Sequence, residues 1–176
     1  MLRGRGMSIA GLITGYMTVC IIPIAALAGL ALPIVMKSKQ KADQAECMRN
    51  MKMLGLSLFE FDADYGSAPS AELAASVPEF SGLTGPRILE QLEVAGTLSD
   101  LDKLLAAKTS APVDYWYYFP RPIQGSAPSD VLLVSPVVGE MRMTLRLDNS
   151  VTQLRSNAVL PVDLSTGIQI PVPAGR

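Results

Sequence analysis

From Gly6 to Met36 the chain carries no charged side chain, and this run constrains everything that follows it. A helix needs about 20 apolar residues to cross a bilayer core, so residues 7–36 are expected to form one transmembrane helix behind a short basic leader, residues 1–6. Pro23 and Pro33 each remove a backbone donor and crowd the carbonyl four residues earlier, which predicts bends near Val19 and Gly29. Gly11 and Gly15 make a GxxxG pair, and Ala25 with Gly29 repeats the spacing, so a neighbouring helix can approach this face closely. The plain alternative is that small residues are common in such segments. Basic residues flank the run on both sides, Arg3 and Arg5 before it and Lys37, Lys39 and Lys41 after it, and the charge rule therefore leaves orientation open. Ala26-Leu27-Ala28 also fits a signal-peptide cleavage site, although the apolar stretch before it, about 19 residues, is longer than the usual 7–15. Cys20 makes a poorer lipoprotein site, because Val19 rather than a small residue precedes it.

Past Met36 the helical pattern does not stop. Ala45, Met48, Met51, Gly55, Leu58 and Phe61 recur every three or four residues, leaving Lys41, Asp43, Glu46, Arg49, Lys52 and Glu60 to other faces. Residues 37–62 are thus expected to be an amphipathic continuation of the membrane helix, ended where Gly66 can take a left-handed cap and Pro69 forbids another turn. A continuous helix from Met7 to Asp62 would be about 84 Å long, more than so small a domain can cover. Such a helix calls for partners, other copies included.

The 176 residues allow one small domain beside the membrane segment. Residues 1–52 carry seven Lys/Arg against Asp43 and Glu46, a net +5, whereas residues 53–176 carry eight against fourteen, a net −6. An acidic body argues against nucleic acid as its partner. The chain has no histidine, which removes the commonest general base and the commonest metal ligand. Cys20 and Cys47 stand about 40 Å apart on the expected helix and cannot pair within one chain.

Residues 63–112 read as a loop with short helices. The stretch 67–85 is rich in Ser, Ala, Gly and Pro, with room for one helical turn. Pro86 starts a helix carrying Ile88, Leu89 and Leu92, and Gly96 breaks it. Ser99 or Asp100 caps a second helix carrying Leu101, Leu104 and Leu105. Residues 113–156 hold four strand-like runs, 113–119, 131–136, 141–147 and 150–155. Gly139-Glu140 turns one pair, and Asp148-Asn149, which tolerates positive φ, closes a hairpin. Residues 157–176, with three prolines, read as an extended surface tail. The fold class is α+β: a long N-terminal helix whose amphipathic half lies on a small antiparallel sheet.

Few residues offer chemistry. Asp62 and Asp64 could share a cation, but no third ligand or bidentate glutamate follows at calcium-loop spacing, and solvated acids at a helix end explain them better. Glu90, Glu93, Asp100 and Asp102 read as solvated helix faces and caps without basic companions. Tyr115, Trp116, Tyr117 and Tyr118 could stack on a sugar or base or meet a partner protein; alternate packing of a strand explains them more simply. No phosphate loop, nucleophile elbow or Cys-x-x-Cys appears, and nothing asks for a cofactor. The expectation is a non-enzymatic protein.

The segments around Cys47, Asn50, Leu54, Gly55, Leu56, Tyr65, Gly66 and Pro69, together with the LRLDNSVTQL hairpin, resemble the type II secretion pseudopilins and type IV pilin-like proteins. The resemblance covers most of residues 37–156 and rests on order and spacing; Asn149 stands where the family's hairpin usually has glycine. It implies a single-pass bacterial inner-membrane subunit with a periplasmic C-terminal domain, assembling through its first helix with other pilin-like subunits or secretion machinery. Arg5-Gly6-Met7 resembles the family's processing site, which implies cleavage after Gly6 and methylation of Met7. Gly11 departs from the pattern, for the resemblance expects a glutamate there. Its absence counts against both processing and ordinary filament assembly, and leaves a minor, capping or unassembled subunit open. The runner-up is a membrane-tethered periplasmic ligand-binding or sensing domain built on Tyr115–Tyr118.

Overall fold

The computed structural model describes residues 5–109, 114–123 and 125–173, with side chains from Ile34 onward. The chain forms two compact units, Met1–Lys41 and Ala42–Arg176. Helix α1, Arg5–Tyr65, contributes to both, and Pro23 and Pro33 do not end it. In the first unit the described side chains Ile34, Val35 and Met36 are 67%, 62% and 65% exposed. Among the described residues no helix is long and apolar enough to cross a membrane. The side chains of the uncharged run lie outside the described residues up to Pro33, and with them the membrane reading, Gly6 and Met7, and the packing positions Gly11, Gly15, Ala25 and Gly29.

The second unit is α+β. The expected meander is present as β1 (Tyr115–Tyr118), β2 (Val131–Val134), β3 (Met141–Arg146) and β4 (Val151–Arg155). The tail adds what the sequence reading did not: β5 (Ile168–Pro171) pairs antiparallel with β1, giving the order β4-β3-β2-β1-β5. Its three prolines suggested a surface strap, yet Pro171 sits at the end of an outer strand, where a missing donor costs no ladder bond. Residues 157–176 are therefore not simply an extended tail.

The stripe Cys47, Met51, Leu54, Leu58 and Phe61 of α1 is buried in one cluster with Trp116, Tyr118, Leu133, Met143, Leu145 and Ile170 of the sheet. Ala45, expected on that stripe, is exposed, and Cys47 and Asn50 take the first buried turn instead. Short helices close the sides of this core. Helix α2 (Ala71–Ser76), capped by Ser70, and the single turn Pro78–Phe80 occupy the stretch expected to be a loop with one helical turn, and Phe80 is fully buried. Phe61, Tyr65 and Phe80 pack ring to ring with centroids 4.7–5.6 Å apart, fixing the end of α1. A 3-10 turn (Gly85–Glu90) leads into α3 (Gln91–Val94), and α4 (Leu101–Leu105) is capped by Asp100. Gly66, at φ 71°, ends α1 as expected, its N–H donating to the Asp62 carbonyl.

The β3–β4 hairpin turns through Leu147, Asp148 and Asn149. Asn149 takes φ 59°, its N–H donates to the Arg146 carbonyl, and the Arg146 N–H donates to the Ser150 carbonyl. This is a three-residue turn with a left-handed last position. The Asn149 side chain rests over Gly55 of α1, so close that a Cβ at position 55 would overlap Oδ1 of Asn149 and lie 3.3 Å from the Leu145 side chain. Gly55→Ala should therefore destabilise by about 1–2 kcal/mol, because overpacking outweighs the gain in helix propensity. Asn149→Gly keeps the turn and removes the overlapping amide. In a double-mutant cycle by urea denaturation, the cost of Gly55→Ala should fall by at least half in the Asn149→Gly background.

Candidate functional site

The candidate site residues that lie among the described residues are all in the second unit. The aromatic block divides by strand alternation. Trp116 and Tyr118 are fully buried on the helix side, where the Trp116 indole N–H donates to the Leu105 carbonyl (2.8 Å) and the Tyr118 hydroxyl donates to the Pro69 carbonyl (3.1 Å). Tyr115 and Tyr117 are half-buried on the other side. That outer face is itself partly covered: Phe119, Val131 and Val134 form a second cluster with Tyr117, Val162 and Leu164, the last two supplied by the tail. A register shift between Val131 and Leu133 lets Leu132 and Leu133 face the main core while Val131 and Val134 face the tail. The four aromatic residues do not make one surface.

Asp64 and Asp102 are exposed and Asp100 caps α4, as expected; Asp62 and Glu90 depart from expectation. Asp62 is only 6% exposed and is no solvated helix end. Burial raises its carboxyl above the ordinary range, and its charge adds to the burial that raises the Tyr118 phenol. Among the described residues no group of three His, Cys, Asp or Glu side chains could hold a metal ion. Glu90 does have a basic companion, since Arg87 Nη2 lies 2.7 Å from its carboxylate. Glu93 and Asp100 act as caps, accepting from the N–H groups of Leu101 (2.6 Å) and Lys103 (3.1 Å). Lys108 pairs with Asp43 (3.0 Å) and Glu46 (3.8 Å), joining the segment after α4 to α1.

Two open pockets of about 230 and 220 Å³ lie where α1 meets the α4 region. Cys47, Lys103 and Lys108 line the first, Asn50, Met53 and Leu104 the second. Two groups of the first pocket, Cys47 and Lys108, are held in unreactive forms. Burial pushes the Cys47 thiol up to about 11, a hydrogen bond to Ser135 only partly offsetting it, so thiolate is scarce at neutral pH. The Lys108 ammonium is held charged by its hydrogen bond to Asp43. The Asn50 amide donates to the Leu104 carbonyl (3.2 Å), which ties α1 to α4. Beside these pockets α1 also presents two apolar side chains outward, Met53 and Leu56, 45% and 60% exposed. Their positions fall between the buried ones, so the sequence reading, which looked for one apolar face, passed over Met53.

No protein-family model, curated protein or solved structure matches the chain. The class that the fold defines is an α+β domain with a five-stranded antiparallel sheet, carried on the second half of an N-terminal helix.

The buried Asp62 carboxyl sets a pH dependence. Its folded pKa lies above the unfolded one, so ionised Asp62 destabilises the native state; that penalty is absent below the ordinary value of 3.8 and grows as pH rises through the folded value. Asp62→Asn removes it. The variant should gain melting temperature over the parent at pH 7 and show little or no gain at pH 3.5; an equal gain at both would place the effect outside ionisation.

Proposed function

We propose that the protein is a non-enzymatic, pilin-like membrane subunit whose first helix is both anchor and assembly element, and whose sheet domain presents a surface to partner subunits or cargo. The observation that carries this reading is α1 itself: one helical element bears the uncharged run Gly6–Met36 at its start and the stripe Cys47–Phe61, buried on an antiparallel sheet, at its end. Exposed Ile34, Val35 and Met36, followed by Lys37, Lys39 and Lys41, have the order of an apolar span meeting a headgroup layer. The three-residue β3–β4 turn and the Gly66 cap support the resemblance at the residues that suggested it. With Gly11 in the glutamate position, a minor or capping role in a type II secretion or pilus-like assembly fits better than an ordinary filament subunit. The inner membrane, with the sheet domain in the periplasm, is the location this reading requires. A ligand-binding domain built on Tyr115–Tyr118 is disfavoured, since Trp116 and Tyr118 have no surface to offer.

The intact mass and N-terminal residue of the protein from native membranes test the reading. A methylated Met7 terminus is expected. A terminus at Gly29 would overturn the anchor, and an intact Met1 would overturn pilin-type processing. Gly11→Cys and Gly15→Cys variants should then cross-link between helices in the membrane, and absence of any cross-linked species would remove the helix-packing role.

A further inference from the structure

One surface segment is apolar where packing gives no reason for it. Ala158, Val159, Leu160 and Pro161 follow β4 in succession, three of them exposed and Leu160 half-buried. Val159 is 94% exposed, the most of any large apolar side chain among the described residues. A lone apolar residue on a surface needs no explanation, but a run of them does. Val162 and Leu164 turn inward onto the outer-face cluster, whereas Val159 belongs to neither cluster.

Contacts inside the second unit fix where this loop lies. The Asn149 side chain rests over Gly55, the Gln153 amide donates to the Met48 sulfur (3.0 Å), and the Gln44 amide donates to the Val138 carbonyl (3.3 Å). β4 therefore runs back along α1, toward the point where the helix enters the unit at Ala42. Beyond the strand the Ser156 N–H donates to the Glu140 carbonyl (2.9 Å), in the same β2–β3 connection as Val138, and the Ala158 N–H donates to the Arg155 carbonyl (2.9 Å), closing a turn. Residues 158–161 thus leave the sheet at the Ala42 end, away from the rings of Phe61, Tyr65 and Phe80 at the other. Ala42 is six residues past Met36, about 9 Å of helix, which is comparable with the roughly 5–8 Å depth of one headgroup layer. From Asn149 to Val162 the one charged side chain is that of Arg155, exposed, in a body that otherwise carries an acidic excess.

Resting on the reading of α1 as a membrane anchor, we infer that the loop Ala158–Pro161 is a second membrane contact: Val159 enters the boundary between headgroups and acyl chains, and Arg155 meets lipid phosphate beside it. One valine binds a bilayer weakly, but the anchor keeps the loop close to the surface, so its effective concentration there is high. The contact has a structural consequence. A single helix leaves the sheet domain free to turn about the helix axis, and a second contact on one side fixes which face is turned to the lipid. A protein partner could also cover Val159, but an acid-free apolar loop at the anchor's end of the unit is matched first to the surface that the anchor itself brings.

The test uses the full-length chain with Cys20→Ala, reconstituted in vesicles of phosphatidylethanolamine and phosphatidylglycerol, with Cys47 kept because burial leaves it unreactive. An environment-sensitive fluorophore is attached to Val159→Cys, to Asn157→Cys beside it, or to exposed Glu79→Cys next to Phe80 at the far end. Lipids carrying a spin-label quencher high on the acyl chain should quench the probe at 159 and 157 at least about twofold more than at 79. Adding Val159→Asp to the chain labelled at 157 should abolish that excess, because a carboxylate does not enter the acyl boundary. Every variant should keep the parent's melting temperature, since the substituted side chains are exposed. Equal quenching at 159 and 79, or quenching at 157 that survives Val159→Asp, would overturn the proposal. So would a probe at 159 shielded from aqueous iodide yet untouched by the lipid quencher, which would assign the loop to a protein partner. Alkaline carbonate separates the two readings: release of the chain from the vesicles would overturn the anchor and this contact with it, whereas retention without lipid quenching at 159 would overturn this contact alone.

Discussion

The domain from Ala42 onward depends on the contact between the Cys47–Phe61 stripe of α1 and the inner face of the sheet. Met51, Leu54, Leu58 and Phe61 are all essentially fully buried there. At about 1.5–3 kcal/mol each for removing such side chains from water, they contribute on the order of 6–12 kcal/mol before the entropy of ordering is subtracted. That is comparable with the entire net stability of a small domain, so without α1 the sheet has no second layer to fold against. Polar side chains fix the direction of this contact. Asn50 and Ser57 on α1 donate to the carbonyls of Leu104 and Thr97, and Trp116 on the sheet donates to that of Leu105, so helix and sheet both hold the segment around α4.

What the sequence made legible follows from how local each signal is. The end of α1, the caps of the short helices and the β3–β4 turn depend on residues within a few positions of one another, as Gly66, Asp100 and Asn149 show. β5 does not: Ile168–Pro171 has only one short apolar stretch and two nearby prolines, and becomes a strand because β1 offers it an unpaired edge. Phe80 sits in a Ser/Ala/Gly/Pro-rich stretch with no periodicity, and its burial is decided by Phe61 and Tyr65, which are distant in sequence. The 3.6-residue period correctly located the buried face of α1 but missed its first turn by two positions, because Cys47 and Asn50 face the α4 segment that folds back on them.

The candidate site was less legible than the fold, for a related reason. Residue type suggested that Asp62 was solvated, but burial depends on what covers a residue, and the covering groups come from elsewhere; strand alternation, by contrast, divided Tyr115–Tyr118 into inward and outward members as the structure has them. Tyr118 and the end of α1 enclose Asp62, while Val162 and Leu164 of the tail cover the outer face beside Tyr117. The tail thus does two jobs, extending the sheet through β5 and blanketing its outer face, and both reduce the surface on which a partner could land.

This distribution of cover bears directly on function. A domain that evolved around a small-molecule pocket would be expected to concentrate its polar groups around one concavity. Here several buried polar groups are instead directed to backbone carbonyls: the Gln91 amide donates to Ser70 and Leu83, Asn50 to Leu104 and Trp116 to Leu105. The surfaces left uncovered are of another kind: Ile34–Met36 at the end of the uncharged run, Met53 and Leu56 on α1, and the backbone edge of β4. These are apolar strips and an unpaired ladder, elements that gain stability by meeting a second protein or a lipid surface rather than by enclosing a ligand. The exposed elements therefore favour the proposed assembly role over the ligand-binding alternative.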